Sequence, residues 1–374
     1  MADFLPFTRP TIDEDMISAV GDVLRSGWIT TGPQVAALEA ELAAYIGGGR
    51  QVRVVTSATG ALEIALKVLG VGPGDEVLVP AMTFVATANV VTRLGASVRF
   101  VDVGLRSRNA TAAAFEAAIG PRTKALMPVH FAGLPVEMDA VNALAARHGL
   151  RVVEDAAHAI GSRLGGRQVG SFGDIACFSF HPNKNMTTVE GGALVYGDPA
   201  LSGPIEAERW HGGIKDPDGQ VDVISAGGKY NLTDVAAALG RAQLKRLDGF
   251  NARRRELIGR YFERLEPRLP SDWLPDRGDD GHSWHIFAPL LPFADLGYSR
   301  VEFIRRMKER GLGVGIHYQA VPALSLYRQL GHDPGRYPNA ARIGAETVTL
   351  PLYPAMTIAD VDRVCAAVLE LTGR

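Results

Sequence analysis

From about residue 50 to about residue 200 the chain alternates short apolar runs with longer amphipathic ones. The apolar runs are VRVVT (52–56), EVLVP (76–80), SVRFVDV (97–103), KALMPVH (124–130), RVVED (151–155), IACFSF (175–180) and ALVY (193–196). Most are rich in Val and continuously apolar, so they are predicted as strands buried on both faces. Between the early ones lie TGALEIALKVLG (59–70), VATANVVTRLG (85–95) and MDAVNALAARHG (138–149). Their apolar residues recur at helical spacing, and they end on Gly70, Gly95 and Gly149, the residue type that most readily stops a helix. Strand–helix alternation predicts an α/β architecture, a mostly parallel sheet sandwiched by helices. Ligands of such sheets bind at the carboxyl ends of the strands.

The texture changes after about residue 245. RRRELIGRYFERL reads as a charged amphipathic helix, followed by the loop LPSDWLPDRGDDG, the run WHIFAPLLP and the helix SRVEFIRRMKERG. The expected division is a large unit over 1–245 and a smaller C-terminal α+β unit over 246–374. A length of 374 residues suits that arrangement.

Composition narrows the function classes. The net charge of −2, with no basic run, makes no electrostatic case for nucleic acid or an anionic membrane. No apolar run reaches roughly 18 residues, so no membrane span is expected. Only two cysteines, Cys177 and Cys365, are present, which argues against a disulfide framework. MADFLPFTRP lacks the pattern of a signal peptide, and the expected location is the cytoplasm.

The candidate chemistry sits just beyond the strands. The first strand runs into Ser57-Ala58-Thr59-Gly60 and then a helix, a turn whose free N–H groups suit a phosphate or simply pack tightly. The fifth delivers Glu154-Asp155 and then His158. A buried carboxylate needs a partner, such as a protonated heterocyclic nitrogen, though Asp155 could equally cap the next helix. The sixth leads through FSFHPNK to Lys184. A desolvated lysine has a lowered pKa and can form a Schiff base, whereas most loop lysines are merely solvated. A phosphate turn, an acid and a lysine on three strand ends match the needs of pyridoxal 5'-phosphate (PLP). No G-x-G-x-x-G follows the first strand, which excludes a dinucleotide-binding reading.

EDAAHAIGSRLGGRQVGSFGDIACFSFHPNKNMTTVEGG resembles the signature of the DegT-like sugar aminotransferases, a branch of the fold-type-I PLP enzymes. SGWITTGPQVAALE, TSATGALEIAL, GPGDEVLVPAMTFVATAN, PVHFAG and GKYNLTDVAAALG follow in that family's order. The resemblance implies a fold-type-I PLP-dependent transferase with a mostly parallel seven-stranded sheet. It implies Lys184 as the Schiff-base lysine, Asp155 on the pyridine nitrogen and His158 on the ring hydroxyl. Phe84 would stack on the ring, and Ala58, Thr59 and Ser179 would hold the phosphate. Asn231 would reach the phosphate of a neighbouring subunit's cofactor, hence a homodimer with shared sites. Thr30, Thr31, His211 and His317 are the substrate-binding candidates, with no metal, although a turn before Pro33 explains the two threonines as well. Phe84 could be core, His158 a helix cap, and Asn231 a neighbour of a helix start at Thr233-Asp234.

The implied reaction moves an amino group from L-glutamate to a keto-sugar, giving an amino sugar and 2-oxoglutarate. The expected acceptor is a UDP-linked 4-keto sugar such as a UDP-4-keto-pentose, for cell-surface polysaccharide or lipid A modification. A dTDP- or GDP-linked 3- or 4-keto-6-deoxyhexose, an oxidised octulosonate, or a PLP-binding regulatory role stay open. The segment between His211 and Lys229 is shorter than expected of family members that act on UDP-linked pentoses, and the stretch HYQAVPALSLYRQLGHDPGRYPNA is more similar to the wider family; the resemblance implies that both segments shape the sugar pocket.

Overall fold

The computed structural model describes residues 4–216 and 218–374. All seven apolar runs form strands of one sheet: β1 (Gln51–Val55), β2 (Glu76–Pro80), β3 (Ser97–Val101), β4 (Thr123–Leu126), β5 (Arg151–Asp155), β6 (Ile175–Ser179) and β7 (Gly192–Tyr196). Every residue of β2, β6 and β7 is buried, as their unbroken hydrophobicity demands. The spatial order is β1-β7-β6-β5-β4-β2-β3. Strands β3, β2, β4, β5 and β6 pair in parallel, and β7 runs antiparallel to both β6 and β1.

Three of the helices correspond to the amphipathic runs: α3 (Ala58–Val68), α4 (Ala86–Arg93) and α5 (Met138–His148). Gly70, Gly95 and Gly149 follow them with φ of 77°, 76° and 63°. Before β1 come α1 (Glu14–Ser26) and α2 (Pro33–Ile46). The N-terminus of α2 is capped from a distance. Asp234, at the start of α6 (Asp234–Leu244), accepts from the N–H groups of Gly32, Gln34 and Val35 at 2.9, 3.1 and 2.9 Å. The near cap of α6 is Thr233, whose side chain accepts from Ala236 N–H.

Register decides what meets at the functional edge. Cys177 pairs with Asp155, Ser179 with Gly192, and Gly192 with Val55. The carboxyl ends of β1, β5 and β6 and the start of the reversed β7 therefore lie side by side. The main core surrounds this sheet. A second core gathers α7 (Leu247–Leu265), the face of α9 (Ile358–Thr372) that carries Val361, Val364 and Val368, and Trp284, Phe287 and Phe303 of the segment between them. Phe303 lies on α8 (Arg300–Glu309). The segment between α7 and α9 also serves the sheet, since Ile286, Ala320, Val321 and Tyr327 belong to the main core.

Candidate active site

A cavity of about 330 Å³ opens at this edge of the sheet, lined by Ala58, Thr59, Phe84, Asp155, His158, Ser179, Lys184 and His317 among others. Its floor is the turn into α3. Ser57 caps the helix by accepting from Gly60 N–H at 3.1 Å. The N–H groups of Ala58 and Thr59 precede the first intrahelical bond, so they are available to an anion together with the positive end of the helix dipole. Gly192 lets β7 come close. A Cβ on Gly192 would lie 2.5 Å from Ala58 N and 2.8 Å from Phe178 O, which only glycine avoids.

Asp155 closes the inner wall at 5% exposure. Its Oδ1 accepts from Ala157 N–H at 3.1 Å and its Oδ2 from the Thr87 hydroxyl at 2.7 Å. The carboxylate therefore does not cap a helix, and it faces the cavity from a fixed position. Lys184 lies five residues beyond β6, half-buried at the cavity wall. Burial pushes its amine down to about 8, against the opposing pull of Asp155. The residue after it pins the loop. Asn185 donates to Asn251 Oδ1 at 2.8 Å and to Ser283 O at 2.9 Å.

Imidazoles form the far wall. His158 Nδ1 accepts from Ala132 N–H at 3.2 Å, so the neutral ring carries its proton on Nε2, which lies 3.1 Å from the Tyr318 hydroxyl. His158 is thus held by the strand-end loop opposite and not as a helix cap. Burial first, then the nearby Lys184 and His317, hold His158 well below the ordinary histidine range. His317 is pushed down to about 4 by burial and Lys184, and its Nδ1 lies 2.8 Å from Thr349 Oγ1. Phe84, half of it exposed, stands at the mouth with its ring centroid 5.4 Å from that of Tyr318.

The other expected site residues lie elsewhere. Thr30, Thr31 and Asn231 line a second cavity of about 760 Å³ with Trp210, Lys215 and Lys229. Asn231 donates to Thr31 Oγ1 at 2.5 Å, and its buried Oδ1 has no partner among the described residues. Thr31 in turn donates to Leu232 O at 2.7 Å. His211 is exposed, does not line the Lys184 cavity, and sits at φ 58° just before the hairpin of β8 (Gly213–Lys215) and β9 (Val221–Val223).

Tyr318, Thr83, Thr87 and the mouth residues His181, Asn183 and Glu190 escaped the sequence reading. A signal existed for Thr83 and Thr87, which flank Phe84 in MTFVAT at i−1 and i+3, one helical turn apart. Tyr318 had none, since it is 134 positions from Lys184 and arrives only by folding.

A helix-opening turn with free amides, a buried carboxylate and a lysine of lowered basicity, converging on one cavity at the carboxyl edge of a mostly parallel sheet, define the class of fold-type-I PLP enzymes, and these residues fit that cofactor. Residues 10–369 match the model of the DegT/DnrJ/EryC1/StrS aminotransferase family, and the chain belongs to that family. Spr1654 from Streptococcus pneumoniae, solved in its PMP-form, is 32% identical over 99% of this chain and 98% of its own, with a TM-score of 0.91. DesV from S. venezuelae is 34% identical over the whole of both chains, also at 0.91. PseC from Helicobacter pylori, an aminotransferase involved in the biosynthesis of pseudoaminic acid, is 27% identical over 99% of this chain and 100% of its own, at 0.91. The protein is a PLP-dependent sugar aminotransferase.

Proposed function

We propose that the protein aminates a nucleotide-linked keto-sugar with L-glutamate as donor, a UDP-linked 4-keto sugar such as a UDP-4-keto-pentose being the first candidate. The observation that carries this reading is the convergence of Lys184, Asp155 and the α3 turn on one cavity whose open mouth bears an exposed aromatic ring, Phe84. PLP, when bound, supplies a carbonyl for the donor's nitrogen and a ring that delocalises electrons from the bond broken at the donor's α-carbon. The chain's residues do the rest. The α3 amides with Thr59 and Ser179 hold the phosphate, and Phe84 packs on the ring. Asp155 keeps a proton on the ring nitrogen, and the Nε2–H of His158 serves the ring hydroxyl. Lys184 anchors the cofactor and then, as a neutral amine, takes the proton from the donor's α-carbon.

Asn231 supports a homodimer. It lines a different cavity from Lys184 in its own chain, and its buried Oδ1 lacks a partner there. In this reading Thr30, Thr31, Asn231 and the exposed Lys215 and Lys229 complete the site of a second copy, the lysines facing the sugar's phosphates. A role in cell-surface polysaccharide or lipid A modification accords with such a substrate.

The test loads the enzyme with glutamate and offers UDP-, dTDP- and GDP-linked 3- and 4-keto sugars. Discharge of the bound pyridoxamine phosphate by a UDP-linked 4-keto sugar is expected, and discharge by none of them overturns the reading.

A further inference from the structure

Asp155 is served by a chain of two buried hydroxyls. Thr83 and Thr87 are 1% and 0% exposed, and their Oγ1 atoms lie 2.7 Å apart. Thr87 Oγ1 also lies 2.7 Å from Asp155 Oδ2 and 3.0 Å from Phe84 O. Each hydroxyl has one proton. Among the described residues Thr83 has no other hydrogen-bond partner, so its proton goes to Thr87. The proton of Thr87 is then left for the carboxylate or the Phe84 carbonyl, and the shorter contact to an ionised oxygen is the stronger. The direction is therefore set: Thr83 donates to Thr87, and Thr87 donates to Asp155 Oδ2.

We infer that Thr87 is a positioning residue for the transamination, with Thr83 as its support, holding Asp155 ionised and aimed at the cofactor's ring nitrogen. The inference rests on the reading of Asp155 given above. Two physical effects combine. A hydroxyl donor stabilises the ionised carboxylate over the protonated one, so the proton shared with the ring stays on the ring. The two threonines also stand one turn apart around Phe84, at the start of α4, so the same turn that presents the aromatic ring presents the hydroxyl. Aligned hydroxyls polarise one another, which strengthens the terminal bond.

The experiment measures PLP affinity, the pH at which the absorbance of protein-bound PLP changes, and the cofactor-free melting temperature. Thr87→Val removes the donor and keeps the volume. It is expected to weaken PLP binding about tenfold to a hundredfold, as fits a lost bond to a charged group, and to shift the pH of the absorbance transition. Thr87→Ser, which restores a hydroxyl, is expected to recover both. Thr83→Val leaves Thr87 its own proton, so its effect is expected to be a few-fold at most, and it stands in if Thr87→Val does not fold. Asp155→Asn separates the two ideas. Loss of affinity in Asp155→Asn with wild-type affinity and pH behaviour in Thr87→Val overturns the positioning role alone. Unchanged affinity in Asp155→Asn overturns the reading of Asp155 itself. Thr87→Val added to Asp155→Asn is expected to cost little more, because the two act through one carboxylate.

Discussion

In the proposed reaction Lys184 is the residue on which the chemistry turns, and its surroundings set its pH behaviour. Burial lowers the amine to about 8, so in the cofactor-free protein it loses its proton on folding at pH values where the unfolded chain, at 10.5, keeps it. The folded state binds fewer protons in that window, so the cofactor-free protein gains stability as pH rises from about 8 to 10.5. Lys184→Met is expected to remove that slope in melting experiments. Lys184→Ala is expected to abolish turnover and the absorbance of lysine-bound PLP, and normal turnover in that variant would sink its assignment. His158 shows how much more a residue's partners say than its identity. Its sequence position suggested a ring contact or a helix cap, and the Ala132 N–H at 3.2 Å decides the tautomer that makes a ring contact chemically possible.

At the scale of elements, the functional edge depends on glycine and on caps supplied across the fold. Gly192 lets the reversed strand β7 lie against the first turn of α3. Gly192→Ala forces a Cβ to 2.5 Å from Ala58 N, and it is expected to cost about 1–3 kcal/mol of stability and to weaken PLP binding. Denaturant unfolding with and without PLP checks both. Asp234 at 1% exposure accepts three amide N–H groups of the α2 start. Asp234→Ala should destabilise the protein by about 2 kcal/mol, the upper range for a lost cap. The strands and the helix stops were legible in the sequence because buried strands and glycine-terminated helices have local signatures. The cap of α2 was not, because its acceptor lies roughly 200 residues away.

The whole molecule adds two expectations. His158, His282, His285 and His317 are all buried and held neutral, with His317 pushed to about 4 and His282 to about 3. Each must gain a proton on unfolding in acid, so their contribution is complete above pH 6.5 and is lost as pH falls toward 4. A melting temperature that drops steeply below pH 6 is the expected result, and replacing His282 by Asn should flatten the curve. The second expectation concerns the proposed sharing of sites between two copies. Lys184→Ala and Asn231→Ala are each expected to be inactive or severely impaired. Mixed and re-equilibrated, they should regain activity, because a hybrid dimer contains one site with both residues intact. No recovery would argue that Asn231 serves its own chain.

The amino-acid sequence by itself determined the strands of the sheet and the helices between the early ones, and it singled out Thr59, Asp155 and Lys184 as candidates, because each follows a strand whose burial is written in local hydrophobicity. Only the tertiary structure decided which of the remaining candidates share a cavity. It joined His317, with Tyr318 beside it, to Lys184, and set Thr30, Thr31 and Asn231 apart in a cavity of their own. It also revealed the hydroxyls behind Asp155. The reason is that these contacts join positions far apart in the chain or turn on the direction of one proton, and neither leaves a period or a spacing in the sequence.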